Sequence, residues 1–140
     1  MNLITPSRFL KNALYADAAV SAASAVLQLS SANLLAGLLS LPSALLFETG
    51  VFMVGYVALL VVMARSQRVW AWLVLAVVAG NVAWALGCLV LPALLPTGPN
   101  ALGILFLVLQ AAVPLLFAAL QWAGLRSSAP TSAMLKAVRS

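Results

Sequence analysis

The chain has no histidine, a single cysteine (Cys88) and only two carboxylates, Asp17 and Glu48, in 140 residues. That inventory excludes most protein-built metal, haem and iron–sulfur sites, which need several imidazole, thiolate or carboxylate ligands. It also excludes histidine-dependent catalysis, an intramolecular disulfide and a Cys-x-x-Cys redox pair. Serines are plentiful, but a serine nucleophile needs a positioned base and none is available. No metal and no cofactor are therefore expected, and a membrane enzyme ranks third, behind a binding and a transport reading, because the reactive-residue inventory is so thin. Charge is scarce as well: 6% of residues are charged, against about 25% in a soluble domain.

What is present is apolar. Hydrophobic residues make up 65% of the chain, and segments of about 20 apolar residues, each long enough to cross a hydrocarbon core of roughly 30 Å, recur along it. The expected class is an all-α membrane protein, a four-transmembrane-helix bundle with spans at about 8–30, 43–64, 69–91 and 101–125. These form one membrane domain, 1–126, followed by a polar tail, 127–140, expected to be poorly ordered. A β-barrel would alternate polar and apolar residues in segments of about 10, a pattern absent from this sequence. The N-terminal stretch shares features with a signal peptide, but Asp17 interrupts its apolar run and further spans follow directly, so a retained anchor helix is expected.

The net charge of +5 is arranged by topology. Arg8 and Lys11 precede the first span, Arg65 and Arg68 separate the second from the third, and Arg126, Lys136 and Arg139 follow the fourth. The segments 30–43 and 92–100 hold no Lys or Arg. Loops rich in Lys and Arg stay cytoplasmic, so both termini are expected inside. The positive charge then points to anionic headgroups rather than to nucleic acid.

Helix signals refine the spans. Thr5 is placed to cap the first helix, with Pro6 in its first turn. The piece SANLLAGLLSLPS is too short to cross before Pro42, and is expected as a short interfacial helix or shallow re-entrant turn between the first two spans. Pro114 lacks a backbone N–H and predicts a kink in the fourth span. Trp70, Trp72 and Trp122 map to one membrane edge as aromatic anchors, whereas Trp84 lies deeper. LPSALL and LPALLP echo one another after the first and third spans, but too faintly to define an inverted repeat.

Polar residues inside the spans are the candidate site. Asp17, Ser21, Ser24 and Gln28 stand at i, i+4, i+7 and i+11, one stripe on a helix, and such a stripe needs partners other than lipid. At about 1.5 Å per residue, Asp17 falls roughly 8 Å from the inner edge and Glu48 roughly 8 Å from the outer edge, about 14 Å apart. Three stacked polar layers are expected: Asp17 with Gln121, Asn81 with Gln110, and Glu48 with Gln28. Ala76, Gly80, Ala83 and Gly87 repeat the same spacing and predict a small-residue groove, either a seam within the bundle or a docking face, with Asn81, Trp84 and Cys88 beside it.

RFLKNALYADAAVS, LPSALLFETG, NVAWALG and ALGILFLVLQAAVPLLFAALQWAGLR together resemble a group of short four-span bacterial inner-membrane proteins described as uncharacterised. The resemblance implies a bacterial cytoplasmic membrane and a four-helix fold, and it supplies no activity. Small multidrug transporters also have four spans and an acid in the first helix. Those that insert in both orientations need a weak Lys/Arg bias, however, and the bias in this chain is complete. The expected function is non-enzymatic: a partly polar bundle interior or small-residue groove that binds a lipid, a hydrophobic small molecule or a partner's transmembrane helix. The alternative is a small proton-linked transporter or channel component using Asp17 and Glu48. Oligomeric state is not legible in the sequence.

Overall fold

The computed structural model describes residues 2–140. Its elements run β1 (Leu3–Thr5), α1 (Arg8–Leu39), α2 (Ser43–Arg65), β2 (Val69–Trp70), α3 (Ala71–Leu94), α4 (Ala101–Arg126), β3 (Ala129–Pro130) and α5 (Thr131–Arg139). The first four helices are each long and apolar enough to cross a membrane. Their outer surfaces carry large apolar side chains in the open, such as Val26 at 67%, Phe52 at 63% and Leu94 at 72% exposure. In water so much contiguous apolar surface would drive association, whereas in a bilayer it meets hydrocarbon while each helix satisfies its own backbone.

Helix α1 begins at Ser7, whose side chain accepts from the Leu10 N–H at 3.1 Å. The cap is thus two residues later than Thr5, because Thr5 is held in β1. The short helix expected between the first two spans is the part of α1 past Ser31, where the backbone leaves helical geometry (φ −133°, ψ 26°) and a second, shorter helix resumes beyond the kink. Adjacent serines account for the bend. Ser30 turns its hydroxyl back onto the Val26 carbonyl at 2.6 Å, an arrangement that competes with the backbone ladder. The helix ends at Ser40 in the left-handed conformation (φ 53°, ψ 47°). By contrast, α4 carries Pro114 without a non-helical residue, and α3 extends through Pro92 into the expected loop.

Close packing joins α2 to α1, α1 to α4 and α4 to α3; α2 and α3 lie at the two ends of that series and do not pack backbone to backbone along their length. Glycines mark the tight seams. A side chain at Gly124 would come within 2.8 Å of Leu10 Cα, one at Gly103 would collide with the Leu39 carbonyl, and one at Gly50 would meet Leu29 at 3.0 Å. The α4 start is tied to the α1 end a second time, by Asn100 Nδ2 donating to the Leu38 carbonyl at 2.7 Å.

The end of the bundle that carries both termini is closed by an unexpected clasp, a three-stranded antiparallel sheet in the order β2-β1-β3. Ile4 pairs with Val69 on one side and Pro130 on the other. Proline is tolerated there because β3 is an edge strand and needs no further donor. Ser7 N–H donates to Ser128 Oγ at 2.9 Å, so the tail expected to be disordered is pinned to the N-terminus and continues into α5. All seven basic residues lie at this end: in the first turn of α1, at the last residue of α2 and in the α2–α3 connection, at the last residue of α4, and in α5.

Apolar residues plug both ends of the bundle. Leu10, Leu14, Leu60, Met63, Val74 and Val77 fill the end beneath the sheet. Leu39, Leu41, Leu46 and Leu107 fill the other. The middle is polar and partly hollow.

Candidate functional site: a carboxylate cluster beside a lateral cavity

All four spanning helices deliver one polar side chain to the same point. Asp17 of α1 accepts on Oδ2 from Tyr56 Oη of α2 at 2.8 Å, Asn81 Nδ2 of α3 at 3.2 Å and Gln121 Nε2 of α4 at 2.6 Å. Its Oδ1 accepts from Ser21 at 3.0 Å, one helical turn along. Asn81 Nδ2 also donates to Gln121 Oε1 at 3.0 Å, and the Tyr56 hydroxyl lies 3.1 Å from Asn81 Oδ1. Asp17 is 2% exposed and Gln121 fully buried. Among the described residues no cation enters the cluster: the carboxylate is met by neutral donors, the arrangement that makes a buried acid tolerable without an ion pair.

A second group forms nearer the other end. Thr49 Oγ1 donates to Gln28 Oε1 at 2.6 Å, while Gln28 Nε2 donates to Ser24 Oγ at 3.0 Å and lies 3.8 Å from Met53 Sδ. Gln110 Nε2 of α4 donates to the same Ser24 Oγ at 3.0 Å.

The layers differ from those expected. Asp17 does lie level with Gln121, but Asn81 joins them rather than pairing with Gln110, because α3 turns it to the Asp17 carboxylate. Gln110 meets Ser24 instead. Gln28 is served by Thr49, whereas Glu48, one residue and about 100° away around the helix, is exposed on the outside of α2. Tyr56 and Thr49 are the cluster side chains that the sequence did not single out. The available signal was their spacing: Thr49, Met53 and Tyr56 stand at i, i+4 and i+7, the same periodicity that marked the α1 stripe.

Between the clusters and the surface lies a cavity of about 680 Å³. Asp17, Ser21 and Ser24 of α1 and Gln110, Pro114 and Phe117 of α4 form its back wall. Its flanks are Thr49, Met53 and Tyr56 of α2 and Gly80, Asn81, Trp84 and Cys88 of α3. Since α2 and α3 are the pair that does not pack, the cavity opens sideways between them, at the depth of the spans. A side-chain bridge crosses that opening: the rings of Phe52 and Trp84 stack with centroids 5.8 Å apart and planes within 10°. Behind it, the buried Trp84 Nε1 has no hydrogen-bond partner among the described residues.

The small-residue stripe on α3 is not a seam within the bundle. Ala76, Gly80, Ala83 and Gly87 are all exposed, and a side chain placed at Gly80 or Gly87 would meet nothing within 4 Å. The face of α3 that packs carries Val74, Val77, Asn81 and Ala85 instead. Gly80, Ala83 and Gly87 line the cavity mouth, so their small size widens the opening rather than drawing two helices together.

A four-helix bundle of spanning length with a polar interior and a lateral, lipid-level opening defines a multi-pass integral membrane protein. Comparison adds no narrower class: no protein-family model, no curated protein and no solved structure matches the chain.

Proposed function

We propose that this protein is a non-enzymatic binding protein of the bilayer, which takes an elongated apolar molecule from the lipid phase into the slot between α2 and α3. The observation that carries the reading is the cavity itself. Its 680 Å³ falls within the range of about 300–1,000 Å³ typical of small-molecule sites, and its wall is mostly apolar with a few convergent polar groups. All seven basic residues at the terminus-bearing end support a cytoplasmic position for both termini, and the resemblance to short four-span bacterial proteins supports a bacterial cytoplasmic membrane.

The test is native mass spectrometry of the protein released from its membrane with bound molecules retained. Wild type is expected to carry an apolar molecule that Gly87→Leu loses, because this substitution fills the mouth without touching a packed neighbour. Identical adducts on both proteins would overturn the reading.

A second reading, proton-linked transport, draws on the position of Asp17 at the cavity wall. Against it, Asp17 already accepts four hydrogen bonds and Glu48 faces outward, away from the cavity. Proton flux in proteoliposomes that is abolished by both Asp17→Asn and Glu48→Gln would favour it.

A further inference from the structure

We propose that the cavity selects an uncharged single-chain lipid bearing one hydroxyl, a long-chain alcohol in its simplest form, and seats that hydroxyl between Ser24 and Gln110. The inference rests on the cavity being a binding site and adds the chemical class of its occupant.

Charge narrows the class first. Among the described residues no Lys or Arg lines the cavity, and Asp17 is the only charged residue on its wall. An anionic head would meet a carboxylate with no compensating cation, in a medium where charge is costly. A cationic head would gain little from Asp17, because both oxygens are already engaged and Oδ2 alone takes three donors. Displacing those donors would leave the buried Gln121 Nε2 without an acceptor. Neutral molecules carry neither penalty.

Unused hydrogen-bonding capacity narrows it further. Ser24 Oγ accepts from both Gln28 and Gln110, yet its own proton has no acceptor among the described residues. Gln110 donates through Nε2, but its Oε1 receives no donor among the described residues. Pro114, which has no N–H, cannot return a bond to the backbone carbonyl of Gln110. Ser24 and Gln110 both line the cavity, so the Ser24 proton and the Gln110 Oε1 stand unspent side by side on its wall. A hydroxyl is the smallest group that uses both, accepting from Ser24 and donating to Gln110 Oε1. A carbonyl or ether uses only the donor, and an alkane uses neither.

Shape agrees with a single chain. The α2 lining runs from Leu45 to Tyr56 and the α4 lining from Phe106 to Phe117, each about 16 Å long at 1.5 Å per residue. The slot is therefore long, parallel to the spans and one helix-gap wide, which matches an extended chain lying alongside its neighbours in the bilayer.

The experiment uses the full-length protein in phosphatidylcholine nanodiscs with tritiated hexadecanol bound, displaced by unlabelled hexadecanol, hexadecane, hexadecyl sulfate or hexadecyltrimethylammonium. Hexadecanol is expected to displace the label about tenfold better than each of the other three, the effect of two neutral hydrogen bonds. The Ser24→Ala, Gln110→Leu double variant is expected to bring hexadecanol to within about twofold of hexadecane. Displacement by the sulfate or the ammonium as strong as by the alcohol would overturn the uncharged class. Equal displacement by hexadecane would overturn the hydroxyl seat. The comparison among ligands on wild type stands even if the double variant does not fold. Label that is absent from wild type, or unaffected by Gly87→Leu, would instead sink the underlying reading of the cavity as a binding site.

Discussion

Two polar groups sit one above the other in this bundle, and they differ in how completely they are satisfied. Around Asp17, residues from all four spans converge and every strong acceptor on the carboxylate is engaged. Around Ser24, three helices contribute, but the Ser24 proton and the Gln110 carbonyl oxygen are left over. A closed network holds helices in one arrangement, whereas an open one keeps hydrogen bonds available for something else. The Asp17 group is accordingly the pin of the fold, and the Ser24 group is the part of the interior with chemistry to spare. The lesson is that charge alone does not mark the part of a membrane interior with chemistry to spare; residual hydrogen-bonding capacity beside a cavity does.

The contrast can be broken most severely at Asp17. Asp17→Leu removes every bond to the carboxylate and strands the Gln121 Nε2, while Asn81 and Tyr56 keep Gln121 Oε1 and Asn81 Oδ1 as acceptors; at about 1.5–3 kcal/mol for each hydrogen bond to a charged group the loss should reach about 3 kcal/mol or more. Unfolding of the detergent-solubilised protein followed by circular dichroism measures it. If the variant unfolds like wild type, the cluster is not the pin.

Tyr56→Phe removes one donor and leaves the carboxylate three. An expected loss of about 1 kcal/mol in the same assay is at the upper side of interhelical hydrogen bonds in membranes. A loss as large as that of Asp17→Leu would mean that the Tyr56 ring, not its hydroxyl, holds α2 in place.

Asp17→Asn sharpens the comparison by removing charge and keeping shape. Its amide oxygen can take the place of Oδ2 under the three donors, while its Nδ2 faces Ser21 Oγ, a hydroxyl free to reverse its role. The expected loss is below about 1 kcal/mol. A collapse comparable with Asp17→Leu would show that the full negative charge is required.

Gln110→Leu tests the open group. Ser24 keeps its bond from Gln28, so stability should fall by only about 0.5 kcal/mol while retention of hexadecanol drops. Should stability fall as far as for Tyr56→Phe, the upper group is structural too.

The smallest effect is expected at Trp84→Phe. That substitution deletes a buried donor with no partner and keeps a ring against Phe52, so lost ring contact offsets the relieved desolvation and the net change should lie within about 0.5 kcal/mol of zero. A clear loss would reveal a partner for Trp84 Nε1.

Much of the architecture was legible in the sequence because the bilayer imposes lengths and forbids unpaired backbone. Four spans, their approximate limits and the gathering of basic residues at one end all follow from hydropathy and from where Lys and Arg occur. The inward stripe from Asp17 to Gln28 was legible from periodicity. Glu48 misled because charge drew attention to it, while Thr49 and Tyr56, less conspicuous by type, stand on the face that packs. The clasp was invisible for another reason: β1, β2 and β3 are two or three residues each, too short for any pattern, and they exist only because the bundle brings three connections together.

The sequence by itself thus determined class, span number and which side chains are too polar for lipid, since each depends on one helix at a time. Only the tertiary structure decided that Asn81 turns to Asp17 instead of Gln110, that the Gly80 to Gly87 face borders an opening rather than a seam, and that α2 and α3 stand apart. Those outcomes depend on rotation and spacing between helices. Rotation and spacing are set by where close approach is sterically possible, at Gly50, Gly103 and Gly124, and by which donors can reach one carboxylate from four directions at once.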